Sequence, residues 1–113
     1  MSQRLTSRML VSALLRRVSG AGGTGAVLRR GDEQAGAVLL MCMERGRLTS
    51  LIERVADMGG GYRWADCGPE DRADGSAVQA YLDRRQARDP DLWIVELDIP
   101  QAERFAAETI VGA

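Results

Sequence analysis

Histidine and lysine are absent from this sequence. Without histidine, the commonest proton shuttle and metal ligand near neutral pH is missing; without lysine there is no amine for a Schiff base and no Walker-type phosphate contact. All 15 basic residues are arginine, which stays charged at any accessible pH and serves as an anion clamp or ion-pair partner, not as a proton relay. Aromatics are scarce, with two Trp, two Tyr and one Phe, leaving little for the stacking platforms that single-stranded nucleic acids use. Cys42 and Cys67 lie 25 positions apart with no C-x-x-C spacing. Neither a zinc nor a dithiol redox motif is therefore supported, and each cysteine is expected to be a small, buried apolar residue. No apolar run approaches the roughly 20 residues of a membrane helix. The longest, AVLLMCM at 37–43, has the length of a buried strand.

What is present suits one globular domain. A chain of 113 residues, 45% hydrophobic and 27% charged, is large enough to bury roughly two thirds of its unfolded surface. Its net charge of -1 hides an asymmetry: residues 1–31 carry six Arg and no acid, whereas residues 32–113 carry nine Arg against sixteen acids. A basic, acid-free N-terminus fits a transit peptide, a nucleic-acid arm, or a helix docking on an acidic remainder of its own fold or of a twin subunit. A secretory signal fits poorly, because Arg16 and Arg17 directly follow MLVSALL, where a small-residue cleavage site belongs.

The stretch GAGGTG at 20–25 spells G-x-G-x-x-G. A dinucleotide fingerprint needs a strand before these glycines and a helix after them, so that phosphate meets free N–H groups. Here the order is reversed. Thr6 can cap a helix in which Leu10, Leu14 and Val18 form an apolar stripe, and this helix presents its carbonyl end to the glycines. They are read as a linker. Beyond it, TGAVLRR reads as a strand, GDEQAG as a turn and AVLLMCMER as a second strand, the pair forming a hairpin. Arg30-Gly31-Asp32 is read as turn chemistry. Residues 48–58 are ambiguous: Ser50 and Glu53 make a capping box ahead of helical spacing, while a strand pairing across Arg45-Gly46-Arg47 is the rival reading. YRWADC at 62–67 suggests a short strand. Ser76 with Gln79 predicts a helix that stops at about Arg88 before Asp89-Pro90. LWIVELD then alternates, with Trp93, Val95 and Leu97 on one face and Leu92, Ile94, Glu96 and Asp98 on the other. The last residues form either a short helix around Phe105 or a loose tail.

The segments SALLRR at 12–17, AVLRRGDEQAGAVLL at 26–40 and RRQARDPDLWIVELD at 84–98 resemble a family of small bacterial proteins known as domain-of-unknown-function family 1491. The resemblance implies one compact α+β domain in a bacterial cytoplasm, tips residues 48–55 toward strand, and supplies no activity, catalytic residue or ligand. The predicted fold is a single α+β domain over 1–113, with about 1–4 and 106–113 as loose ends. Its mainly antiparallel sheet has four to five strands, and the two clear helices, at 6–19 and 76–88, pack on one face. AVLLMCM is apolar on both sides, so the opposite face also needs cover, and a homodimer is expected to supply it.

For chemistry, Asp89 and Asp91, with Glu96 and Asp98, are the acids that could hold a hard cation or act as paired carboxylates. The pairs Arg16-Arg17 and Arg29-Arg30 suit bidentate phosphate contacts. Trp93 with Arg85 and Asp91 makes a hot-spot combination for a partner. These nine residues, Arg16, Arg17, Arg29, Arg30, Arg85, Asp89, Asp91, Trp93 and Glu96, are the candidate binding surface; no catalytic residue, metal or cofactor is assigned. The expected function is a non-catalytic interaction or accessory protein with a protein partner and no membrane association. The alternatives are a nucleic-acid or anionic-ligand binder and a carboxylate-based, metal-dependent enzyme.

Overall fold

The computed structural model describes residues 5–111; of the loose ends expected at 1–4 and 106–113, residues 1–4, 112 and 113 lie outside the described residues, and 106–111 are helical rather than loose. The elements, in chain order, are α1 (Ser7–Gly20), β1 (Thr24–Arg29), β2 (Val38–Glu44), β3 (Arg47–Ala56), β4 (Tyr62–Asp66), α2 (Gly75–Arg88), β5 (Trp93–Asp98) and α3 (Ala102–Val111). They form one α+β domain around a five-stranded sheet of order β1-β5-β2-β3-β4. Every pairing is antiparallel except that of β2 with β5.

α1 starts where Thr6 accepts a hydrogen bond from the Met9 amide at 3.1 Å, satisfying one of the orphan donors of the first turn. Leu10, Val11, Leu14 and Val18 bury its stripe. Past its end the chain turns left-handed at Gly22 (φ 90°), a conformation glycine adopts without strain. The glycine run is thus a helix terminus leading into β1, the reverse of a dinucleotide fingerprint. The 48–58 segment is strand as far as Ala56: Leu39, Leu40 and Met41 pair with Glu53, Ile52 and Leu51. The turn before it takes positive φ at both Arg45 and Gly46, as two-residue hairpins require. The Asp98 carboxylate accepts from both their amides at 2.9 Å, which holds the non-glycine residue in place.

Two sequence expectations are corrected. β1 and β2 do not form a hairpin, because β5 lies between them and pairs with both. Two helices do share one face, but they are α1 and α3. Leu10, Leu14 and Val18 of α1 and Ala102 and Ala106 of α3 pack with Val38, Leu40, Cys42, Trp93, Val95 and Leu97. α2 lies on the other face, where Val78 and Leu82 meet Leu39, Leu51, Leu92 and Ile94. The two-sided apolar strand that called for a second copy is thus covered on both sides by the chain's own helices. The α2 cap also differs: Asp74, not Ser76, accepts from the Ala77 amide at 3.0 Å. Among the described residues, no helix is long and apolar enough to cross a membrane.

Candidate functional site

The segment 30–37 joins β1 to β2 by passing over the entrance of β5, a step of about 10 Å, or two strand spacings. Its contacts explain the most distinctive part of the sequence, DPDLW. The Trp93 indole donates to the Asp32 carbonyl at 2.7 Å. The Trp93 amide donates to the Ala37 carbonyl at 2.8 Å, and the Asp32 amide to the Asp91 carbonyl at 3.0 Å. Arg29 closes the junction by donating to the carbonyls of Pro90 at 3.1 Å and Leu92 at 2.7 Å. At Gly31 and Gly36 a Cβ would overlap the Asp91 carbonyl oxygen, so both positions need the bare backbone. The Arg-Gly-Asp tripeptide is part of this lock: the Asp32 carboxylate accepts from the amides of Gln34 at 3.2 Å and Ala35 at 2.9 Å.

Arg29, Arg30, Asp89, Asp91 and Trp93 therefore do come together, and most of their polar atoms hold backbone. The Asp89 carboxylate accepts from the Asp91 amide at 3.0 Å, and Arg30 pairs with Glu33 at 2.7 Å while lying 5.7 Å from the Trp93 ring centroid. The acids do not converge as a cation site: Glu96 sits mid-strand opposite Ala26 and Met41, and Asp98 caps the β2–β3 turn. Among the described residues, no group of three or more His, Cys, Asp or Glu is placed to hold a metal.

The other candidates are scattered. Arg16 is exposed on α1. Arg17 reaches α3, donating to Thr109 at 3.4 Å and lying 3.8 Å from Glu108. This pair belongs to the C-terminal end of α1, whereas Arg29 and Arg30 adjoin the loop that bonds its N-terminal amides of Ser7 and Arg8. Ten or so residues of helix separate the two pairs by about 15 Å. Arg85 is on the α2 face, while Trp93 is in the core of the α1 face, so the sheet divides them and they share no pocket.

Sequence reading missed the polar cluster that Arg85 does belong to. Its guanidinium grips the Glu53 carboxylate with two bonds, of 2.9 and 2.6 Å, and donates to the Tyr81 hydroxyl at 2.8 Å. With side chains only 20% and 22% exposed, this is a largely desolvated bidentate pair. The Glu53 bond chiefly holds the Arg85 proton more tightly than usual. Tyr81 and Cys67 pack on the same apolar cluster, and the Cys67 thiol is pushed up mainly by burial. Cys42, deep in the α1 face, is pushed up to about 12 by burial. Both thiols are thus less ionised than an ordinary cysteine, the opposite of an activated nucleophile. Following the strand reading of 48–55 through its alternation would have separated Glu53 from Ile52 and Arg54 and pointed to this pair.

Fold and junction together define a small α+β domain in which a loop locked over the β5 entrance sets the strand order. The chain belongs to the family described as protein of unknown function (DUF1491), which it matches over residues 5–107. It is similar to a DUF1491 family protein from Caulobacter crescentus CB15 solved by NMR, with 29% identity, TM-score 0.76, and 92% of this chain and 94% of that one covered. A crystal structure of a DUF1491 family protein from the same organism gives 31% identity and TM-score 0.75 over 89% and 94% of the two chains. A protein from A. tumefaciens, solved in solution, gives 34% identity and TM-score 0.68 over 88% and 89%. No curated protein matches the chain.

Proposed function

We propose that this protein is a non-catalytic interaction module that receives an acidic, extended segment of a partner protein along the outer edge of β1. The observation that carries this reading is the character of that edge. β1 is the last strand of the sheet, and Val27 and Leu28 on it are 41% and 53% exposed. Natural edge strands are usually blunted by charge or proline, whereas Thr24–Leu28 has neither and its only irregularity is the register shift between Val27 and Arg29. An exposed edge of this kind suits strand addition, in which backbone hydrogen bonds supply affinity and alternate side chains supply selectivity.

Charge selects the occupant. β1 ends in Arg29, exposed Arg30 follows it, and α1, which packs on β1 through Leu15 and Gly25, carries exposed Arg8 and Arg16. Two copies meeting here would crowd like charges, so an acidic segment fits better than a homodimer. The engagement of Arg29, Asp89 and Trp93 in holding backbone supports a binding role over catalysis, and the division of the arginine pairs between the two ends of α1 disfavours one continuous nucleic-acid track. The location that suits this reading is a bacterial cytoplasm.

The test is affinity capture from the source organism with wild-type protein and with Ala26→Pro and Leu28→Glu variants, whose folding is checked by circular dichroism. Proline removes an edge amide and glutamate reverses the charge preference. Partners held by wild type and lost from both folded variants support the reading. Equal retention removes the β1 edge as the site, a β1-mediated dimer replaces the acidic partner by a second copy, and turnover of any substrate ends the non-catalytic assignment.

A further inference from the structure

Arg54 follows Glu53 on β3 and emerges on the α1 side of the sheet. Its guanidinium stacks on Tyr62 of β4, 4.4 Å from the ring centroid, and donates to the Ser7 hydroxyl at 3.2 Å and the Leu5 carbonyl at 3.4 Å. Ser7 is fully buried and donates its own proton to the Gly36 carbonyl. Arg54 is thus fixed at the floor of an open hollow of about 460 Å³, lined also by Leu5, Thr6, Gln34, Ala35 and Ala37. None of these residues is acidic.

That setting is unusual for an arginine. A guanidinium carries five N–H donors, and among the described residues the Ser7 and Leu5 bonds engage two, leaving three. Burial lowers the affinity of Arg54 for its proton, with only Tyr62 opposing the shift. A partly desolvated cation is ordinarily compensated by a carboxylate, as Arg85 is by Glu53, yet no carboxylate bonds Arg54 among the described residues. The positive end of α1 adds to the local potential, although its first amides are already bonded to Thr6, Gln34 and Glu33. The hollow falls within the size range of small-molecule sites. Its walls combine one strong anion clamp with an aromatic ring and the short aliphatic residues Leu5 and Ala35.

We propose that this hollow binds a small organic anion, whose carboxylate or phosphate takes the free donors of Arg54 and whose apolar body lies against Tyr62 and Ala35. The site is separate from the proposed partner edge. Arg54 and Tyr62 belong to β3 and β4, toward the opposite edge of the sheet from β1, so either reading can fail without the other.

The experiment is an NMR titration of the full chain with benzoate, phenyl phosphate and inorganic phosphate, at constant ionic strength maintained with chloride. The expected result is saturable shifts of the Arg54 Nε–H and of the amides of Thr6, Gly36 and Ala37. Phenyl phosphate should bind more tightly than inorganic phosphate, and whichever of benzoate and phenyl phosphate is tighter identifies the head group. Arg54→Gln should weaken binding by at least about tenfold, the loss expected for hydrogen bonds to a charged group. If that variant does not fold, Arg54→Lys keeps the charge without the fork and should weaken all three probes. Wild-type spectra without saturable shifts at these positions overturn the proposal, as does unchanged affinity in a folded Arg54 variant.

Discussion

Glu53 and Arg54 are neighbours on β3, and the strand pleat sends them to opposite sides of the sheet. On the α2 side, Glu53 meets Arg85 in two short bonds and the charges close on each other. On the α1 side, Arg54 meets a hydroxyl, a carbonyl and an aromatic ring, and its charge stays open to a hollow. The apolar packing is reversed. The α1 side, with α1 and α3 over it, holds the deeper core, whereas the α2 side rests on a single helix and supplements a smaller apolar cluster with its ion pair. One face is held by burial and can leave an arginine unmatched; the other needs its arginine matched.

Core truncation is the strongest way to break that contrast. Leu14→Ala, on the α1 side, should destabilise by about 4 kcal/mol and Leu82→Ala, on the α2 side, by about 2–3 kcal/mol, within the range for buried leucines, as measured by urea unfolding. Equal losses would remove the asymmetry. The cysteines offer a second comparison, since Cys42 belongs to the α1 side and Cys67 to the α2 side. In the unfolded chain the Cys42 thiol ionises around 9.0, but in the folded chain it keeps its proton up to about 12. Stability from this group is therefore complete below pH 9 and falls as pH rises toward 12, by about 1.4 kcal/mol per unit. Cys42→Val should flatten that slope in unfolding curves at pH 8 to 10, and alkylation of native protein should label Cys67 before Cys42.

Charge substitutions sharpen the contrast further. Glu53→Gln leaves Arg85 largely buried and uncompensated and should cost about 1–3 kcal/mol. Arg54→Gln on the other side removes a charge that has no acid to miss it, and should change stability by less than about 1 kcal/mol; a larger loss would mean that Arg54 supports the fold. The smallest effect is expected at the N-terminus of α2. The Ala77 amide, with Ser76, holds the Asp74 carboxyl below its usual range. The cap is therefore present above the ordinary carboxylate range and lost as pH falls through the lower folded value. Asp74→Ala should fray the first turn of α2, seen as faster amide exchange at Ala77, and abolish this acid dependence.

Local periodicity made much of the fold legible. The alternation of Trp93, Val95 and Leu97 against Leu92 and Ile94 correctly assigned each residue to its face, because a strand's period of two needs no knowledge of its neighbours. The stripe Leu10, Leu14, Val18 did the same for α1. What failed were the features decided by distant pairing. TGAVLR and AVLLMCM looked like a hairpin because the strand that separates them is more than fifty residues further on. Residues 48–58 satisfied a capping box and a strand pattern together; the family resemblance tipped 48–55 toward strand, and pairing with β2 makes them strand. At the cap of α2, Asp74 and Ser76 are equally good residue types, and only geometry chooses. For the candidate site, the DPDLW corner was legible as distinctive but not as a loop lock, since its partners are backbone atoms. Arg54 and Tyr62 escaped notice because their meeting depends on β3–β4 register.

The position of β5 between β1 and β2 carries a consequence for biosynthesis. As the ribosome releases the chain from its N-terminus, β1 and β2 emerge without the strand that joins them, and α1 has only part of its floor. The β2–β3–β4 meander can form early, but β1 stays an unattached ribbon until residues 93–98 leave the exit tunnel and slide beneath the waiting 30–37 bridge. Completion of the sheet should thus be a late, nearly all-or-none event, and a nascent chain stalled before Trp93 should remain open to proteases along its first thirty residues.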